Sequence, residues 1–211
     1  TWKKMKATYY HFKVEFDPVN HIYRSWGKII PCVSDILRAG GFLPDFSQVN
    51  EQVLNASRDF GKAVHRACAL WSANNLDEKA LDPLITPWLE SWKKAVKYLG
   101  IKIIKVEEPM VSEKWRFAGT PDIIGIIKGN VVVDIKTPSS FHPSTALQTA
   151  GYEILAEENG FKIKQRIGVR LTAEGRPQIK VFDGSMDKIV FCGAVNGYHW
   201  KTKNGYKEAI V

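Results

Sequence analysis

Two stretches in the middle of the chain constrain the fold more than any other feature. Trp115 to Ile127 and Val131 to Ile135 read as strands that are apolar on both faces. A strand of that kind needs cover on both sides of its sheet. Lys128-Gly129-Asn130 between them reads as a hairpin loop. Material for the cover lies on either side in sequence. Val49, Val53, Leu54, Ala56, Phe60, Val64, Ala67, Cys68 and Trp71 recur at helical spacing over about Ser47 to Asn74. A second helix is expected from about Pro83 to Leu99, with the stripe Leu84, Trp88, Trp92, Val96, Leu99 as core and a stop at Gly100.

The helical pattern returns from Pro143 to about Asn159, ending at Gly160, and again from Ser185 to about Lys203, weakened there by Gly193 and Gly197. Ile101 to Met110, Gln165 to Leu171 and Gln178 to Phe182 read as further strands, the last two joined by the Glu174-Gly175-Arg176-Pro177 turn. The first thirty residues read as short strands, and His21 to Ile30 alternates around a Trp26-Gly27 turn. Pro31 precedes a short helix, Ser34 to about Ala39, stopped by Gly40-Gly41. This order predicts a mixed α/β fold with a central mixed sheet flanked by helices and a helical and β-hairpin elaboration in front. One domain is expected over residues 1–211: elaboration 1–60, core 61–182, closing helix 183–211.

Hydrophobic residues at 45% and charged residues at 25% exclude a disordered or fibrous chain. No apolar run approaches the roughly 18 residues of a membrane span, so no membrane partner is expected. Thirty Lys and Arg against 22 Asp and Glu leave a net charge of +8, which points to an anionic partner, nucleic acid before membrane. Thr1 to Lys6 is basic, but Tyr-Tyr-His-Phe follows and not an apolar segment, so a signal peptide is not expected. The chain begins without Met, and the natural start is expected upstream. Cys32, Cys68 and Cys192 are scattered and odd in number. They form no disulfide framework and no CxxC metal site, and an intracellular, cytoplasmic location is expected.

Four short patterns follow one another: Gly61-Lys-Ala-Val-His65, Gly119-Thr-Pro-Asp122, Asp134-Ile-Lys136 and Gln148-Thr-Ala-Gly-Tyr152. Asp134 and Lys136, two apart on a strand, point to one face. Charges at the end of so apolar a strand are costly unless something compensates them. A divalent cation between Asp122 and Asp134, beside the lysine, does so, and oxygen donors of this kind suit Mg²⁺ or Mn²⁺. The same parts serve phosphodiester hydrolysis, in which a metal-bound water attacks phosphorus and a lysine holds that water or the developing charge.

The hairpin register makes a requirement. A two-residue Gly129-Asn130 turn pairs Asp122 with Thr137 and puts it on the face opposite Lys136. A three-residue loop, Lys128 to Asn130, pairs Asp122 with Lys136 and gathers Asp122, Asp134 and Lys136 on one face. The chemistry needs the three-residue loop or an equivalent bulge.

Taken in order, these motifs resemble those of the PD-(D/E)xK nuclease superfamily. The likeness is nearest to its RecB-like, Cas4-like branch, with phage-type single-domain exonucleases. The segment Phe16 to Leu37 is similar to the N-terminal part of phage-encoded members. The resemblance implies a restriction-endonuclease-like core. It also implies His65, Asp122, Asp134 and the backbone carbonyl of Ile135 as metal ligands, Lys136 as the catalytic lysine, and Gln148 and Tyr152 as groups orienting it and the scissile phosphate. Gln148 and Tyr152 lie four apart on one helix face, so both reach one site. Glu108 is a further candidate carboxylate for the metal. One or two ions of Mg²⁺ or Mn²⁺ are implied. Cas4-type members hold an iron–sulfur cluster with four cysteines; three scattered ones argue against a cluster here, and against structural zinc.

Lys62, Arg66, Lys114 and Arg116 are candidate DNA contacts, with Lys162, Lys164, Arg166 and Arg170 behind them. Trp115 beside Arg116 is a candidate base-stacking wedge. The expected function is a metal-dependent deoxyribonuclease, an exonuclease on linear or single-stranded DNA ends, phage-encoded within a bacterial host. The alternatives are a structure-specific or restriction-like endonuclease and a catalytically silent DNA-binding module on the same fold. A silent module has no need of Asp122, Asp134 and Lys136 together.

Overall fold

The computed structural model describes residues 8, 9 and 12–206. Thr1 to Lys6, and the last five positions of the closing segment, lie outside the described residues. The chain opens with a four-stranded antiparallel meander: β1 (Thr8–Tyr9), β2 (Phe12–Asp17), β3 (Ile22–Ser25) and β4 (Lys28–Ile30). Two helices follow, α1 (Val33–Ala39) and α2 (Glu51–Ser72), then α3 (Thr86–Leu99). Asn50 caps α2, its side chain accepting from the backbone N–H of Gln52 and Val53. Gly100 ends α3 in the left-handed conformation. Because α2 runs unbroken through residues 60 and 61, the N-terminal elaboration is continuous with the core.

The second half supplies β5 (Lys102–Val106), β6 (Met110–Ser112), β7 (Phe117–Gly119), β8 (Ile123–Ile126), β9 (Asn130–Lys136), α4 (Ser144–Glu158), β10 (Ile163–Arg170), β11 (Gln178–Phe182) and α5 (Asp187–Lys203). The central sheet has the order β11-β10-β9-β8-β5, with β9 and β10 parallel and the other pairs antiparallel. Both faces are covered, as the apolar strands require. Ile124 and Val132 pack under α1, α4 and α5, whereas Val131, Val133, Ile135, Ile167 and Val169 pack on α2 and α3.

Two expected strands are each broken in two. Ile101 to Met110 divides into β5 and β6, and Trp115 to Ile127 into β7 and β8; β6 and β7 then pair with each other, outside the central sheet. Prolines mark both breaks. Pro121 cannot donate to a ladder, and Pro109 confines Glu108 to extended backbone, so the bend falls on Glu107, whose φ is 45°.

Candidate active site

The site forms where β8 and β9 part. Their ladder runs from Ile126–Asn130 to Ile123–Val133, and β9 continues alone to Lys136 on that side. The loop has three residues, as the chemistry requires, but they are Ile127, Lys128 and Gly129. Ile127 N–H donates to the Gly129 carbonyl at 3.1 Å, and Asn130 joins the strand. The register therefore shifts by two residues and sets Asp122 across from Asp134, not Lys136. A shift of two preserves the face. Gly61 and Gly119 make the approach possible: a Cβ on Gly61 would lie 3.3 Å from Thr137 Oγ1, and one on Gly119 3.0 to 3.2 Å from Leu155, Val33 and Tyr152.

Six side chains then form two linked strings. His65 Nδ1 on α2 stands 3.4 Å from Asp122 Oδ1, and Asp122 Oδ2 accepts from Ile135 N–H at 2.6 Å. Lys136 Nζ lies 2.7 Å from Asp134 Oδ2 and donates to Gln148 Oε1 at 3.0 Å; Gln148 Nε2 donates to Tyr152 Oη at 3.0 Å. The lysine meets Asp134 at ion-pair distance but off the hydrogen-bond direction, so Oδ2 is left without a hydrogen bond although Asp134 is only 2% exposed. Ile135 turns its N–H toward the gap beside β8, and the pleat directs its carbonyl to the same side.

The electrostatics split the carboxylates. Burial opposes the charge on His65, but Asp122 outweighs it and raises the imidazole's pKa. Burial also opposes the charge on Asp122; His65, Lys136 and the Ile135 N–H nevertheless hold it below the usual carboxylate range. Asp134 goes the other way: burial raises its pKa, Lys136 offsets part of that, and Asp122 reinforces it. Burial, with Asp134 and Asp122, pushes Tyr152 well up, so its hydroxyl stays protonated. Among the described residues no three His, Cys, Asp or Glu side chains gather closely enough to ring an ion by themselves. The donor set suits a hard divalent cation once the backbone is counted: buried Asp134, with an oxygen lacking a hydrogen bond, half-buried Asp122, and the Ile135 carbonyl.

Other candidates fall less close. Glu108 pairs with Lys105 at 3.0 Å through one oxygen and leaves the other buried without a hydrogen bond. Its neighbour Glu107 is the acid that interacts with Asp122, His65 and Arg66, and burial followed by Asp122 raises its pKa. The sequence carries no signal that separates the two beyond Pro109. Tyr23 is a second residue that pattern reading misses: it is buried on β3, and its hydroxyl lies 2.7 Å from Thr120 Oγ1, two residues before Asp122.

Trp115 is half-buried, with Lys114 Nζ 5.5 Å from its ring centre. It packs against the core under α4 and α5 beside Ile154 and Cys192, and its carbonyl accepts from His199 Nε2 at 3.0 Å. Arg166 is no DNA contact either, being buried among Glu153, Asp187 and two carbonyls. Lys62 is exposed and paired with Asp59 at 3.3 Å; Arg66, Lys114 and Arg116 are exposed as well. Lys162 and Lys164 lie at the far end of β10, about 20 Å of strand from Arg170. Arg170 sits beside Lys136 in the ladder and donates to Gln178 Oε1 at 3.0 Å. Trp92 is fully buried and Trp88 packs edge-on against Phe60, so both belong to the core, whereas Leu84 at the head of the expected stripe precedes α3 and is 73% exposed.

The sequence matches no family model and no curated protein. Its fold has solved counterparts. A protein from Eubacterium rectale described as "Putative exonuclease" aligns with a TM-score of 0.53 at 14% identity, over 85% of this chain and 83% of that one. The chain has a restriction-endonuclease-like fold. An alkaline exonuclease from Laribacter hongkongensis aligns over 82% of this chain and 88% of its own, at 10% identity and a TM-score of 0.46, a likeness too distant to bear weight. Within the restriction-endonuclease-like fold, the six side chains lie at the open end of the central sheet, between α2 and α4.

Proposed function

We propose that the protein is a metal-dependent deoxyribonuclease, an exonuclease that works from the ends of linear or single-stranded DNA. The observation that carries this reading is the convergence of His65, Asp122, Asp134, Lys136, Gln148 and Tyr152, from four separate segments, on one sheet end. The net charge of +8 suits a polyanionic substrate. The Eubacterium rectale protein of the same fold carries the description exonuclease. Among the described residues no helix is long and apolar enough to cross a membrane, and three separated thiols suit a reducing, intracellular setting.

Asp122, Asp134 and the Ile135 carbonyl would hold Mg²⁺ or Mn²⁺, with His65 against Asp122 as a further donor. The cation supplies charge neutralisation at the phosphate and a more acidic bound water. Lys136 is placed to orient the attacking water or to meet the charge that develops on phosphorus. Gln148 fixes the lysine's ammonium by accepting from it, and Tyr152 in turn fixes Gln148. The depressed pKa of Asp122 keeps it an anion for the metal at neutral pH. Contacts should fall on the DNA backbone, with strong salt dependence and little sequence preference.

The test compares a covalently closed circle with the same molecule linearised, with Mg²⁺, Mn²⁺ or EDTA. Progressive loss of the linear form beside an intact circle, abolished by EDTA, is expected. Discrete fragments from the circle would mean an endonuclease. No cleavage of single- or double-stranded DNA with either metal would overturn the reading.

A further inference from the structure

Trp26 breaks a local rule of turn chemistry. It opens the two-residue turn between β3 and β4, where Trp26 and Gly27 take φ of 51° and 73°. Such a turn favours Asn-Gly, because the first position needs the left-handed conformation that bulky side chains resist. The indole is also 71% exposed, so burial does not compensate the strain. Its orientation is nonetheless fixed: Nε1 donates to Glu113 Oε1 at 2.9 Å, and Ser25 Oγ donates to the same oxygen at 3.0 Å. Glu113 belongs to the turn between β6 and β7, so the two hairpin tips are tied together. Exposed Lys28 lies on one tip, and exposed Lys114 and Arg116 on the other.

The patch is close to the candidate active site. Asp122 lies six positions after Arg116, at most about 22 Å of extended chain. Tyr23, three residues before Trp26 on β3, touches Thr120 on the same path.

We propose that Trp26 is a stacking platform for a base of single-stranded DNA whose scissile phosphate lies at Asp122, Asp134 and Lys136, with Lys28, Lys114 and Arg116 along its phosphates. The identity of the strand rests on the nuclease reading. An aromatic face with neighbouring cations is the chemistry that holds single strands without reading sequence.

The test measures anisotropy of a labelled oligothymidylate in a Lys136→Ala background, so that the DNA is not consumed, with cleavage by the wild type assayed in parallel. Trp26→Asn should melt no lower than its parent, because asparagine suits the turn, yet bind roughly 5- to 100-fold more weakly. Trp26→Tyr should recover most of the affinity. Removing Lys28, Lys114 or Arg116 should each flatten the salt dependence by about one phosphate contact. Unchanged affinity in Trp26→Asn overturns the platform even if the wild type cleaves DNA. Weakened binding in a protein that cleaves nothing keeps the platform and overturns the nuclease reading. A parent that binds no DNA overturns both. Loss of self-association in sedimentation, with DNA affinity intact, would make Trp26 a protein contact and overturn the platform.

Discussion

Helix α4 carries two ionic clusters against adjacent strands, and they differ in completeness. On the β10 side, Arg166 spends its guanidinium on the carbonyls of Ala146 and Gly184, on Asp187 at 2.9 Å and on Glu153 at 3.2 Å. Lys188 closes the cluster by meeting Glu153 at 2.7 Å and Glu157 at 3.0 Å. On the β9 side, Lys136 meets Asp134 and Gln148, yet Asp134 Oδ2 has no hydrogen bond and the Asp134 charge is disfavoured. The first cluster joins α4, α5 and the sheet. The second is left open at the sheet end, a difference that the proposed cation and phosphate would account for.

Removing one cation from each cluster should break this comparison in opposite ways. Lys136→Ala should lower cleavage at least about 100-fold while the fold persists, because the lysine stands at a strand end outside the core. Activity within a few-fold of wild type, measured on linear DNA, would remove the lysine from the mechanism. Arg166→Ala should do the reverse. It leaves half-buried Asp187 without its cation and Glu153 with Lys188 alone, at about 3 to 5 kcal/mol of stability. For a chain of this length that lowers the melting temperature by about 10 °C or more. Any protein that remains folded should keep most of its activity per molecule.

A smaller effect sharpens the same contrast. Asp134→Asn removes a buried charge that the fold disfavours, so the metal-free protein should melt higher, by on the order of 1 kcal/mol. Calorimetry with Mn²⁺ should show the heat of binding lost, most completely when Asp122→Asn is added. Unchanged heat in the double variant would place the metal elsewhere. A stability gain with lost binding would mean that the open cluster is kept for chemistry and not for folding.

Much of the open cluster was legible in the sequence because it depends on parity and helical spacing. Asp134 and Lys136 share a face by a count of two, Asp122 joins them by a loop of three, and Gln148 and Tyr152 align by a count of four. The register was still off by two, since a loop's length does not determine which residues fill it. His65 carried no local signal among Phe60, Val64 and Cys68, and only its likeness to a known motif singled it out. Pro109 and Pro121 mark both strand breaks, and reading long strands through them hid the bend that turns Glu107 toward Asp122. The burial of Arg166 lay beyond reach, because Asp187 on α5, about twenty residues further on, helps decide it. Trp26 stood in plain view as a tryptophan where a turn wants asparagine.

The smallest expected effect is none at all. Cys32 lies in the core beneath the N-terminal meander, Cys68 between α2 and the sheet, and Cys192 on α5 against the opposite face. Burial pushes the Cys32 thiol up to about 12 and raises those of Cys68 and Cys192, so none is a ready thiolate ligand. Three thiols held in separate packing clusters are not placed to share one ion, and neither structural zinc nor an iron–sulfur cluster is expected. The purified protein should therefore be colourless. EDTA should abolish cleavage while leaving the circular dichroism melt in place, because a cation at the sheet end completes an open cluster and no helix or strand depends on it. A brown preparation, or a melt that collapses on chelation, would put a metal into the architecture. It would also erase the distinction between a closed structural cluster and an open chemical one.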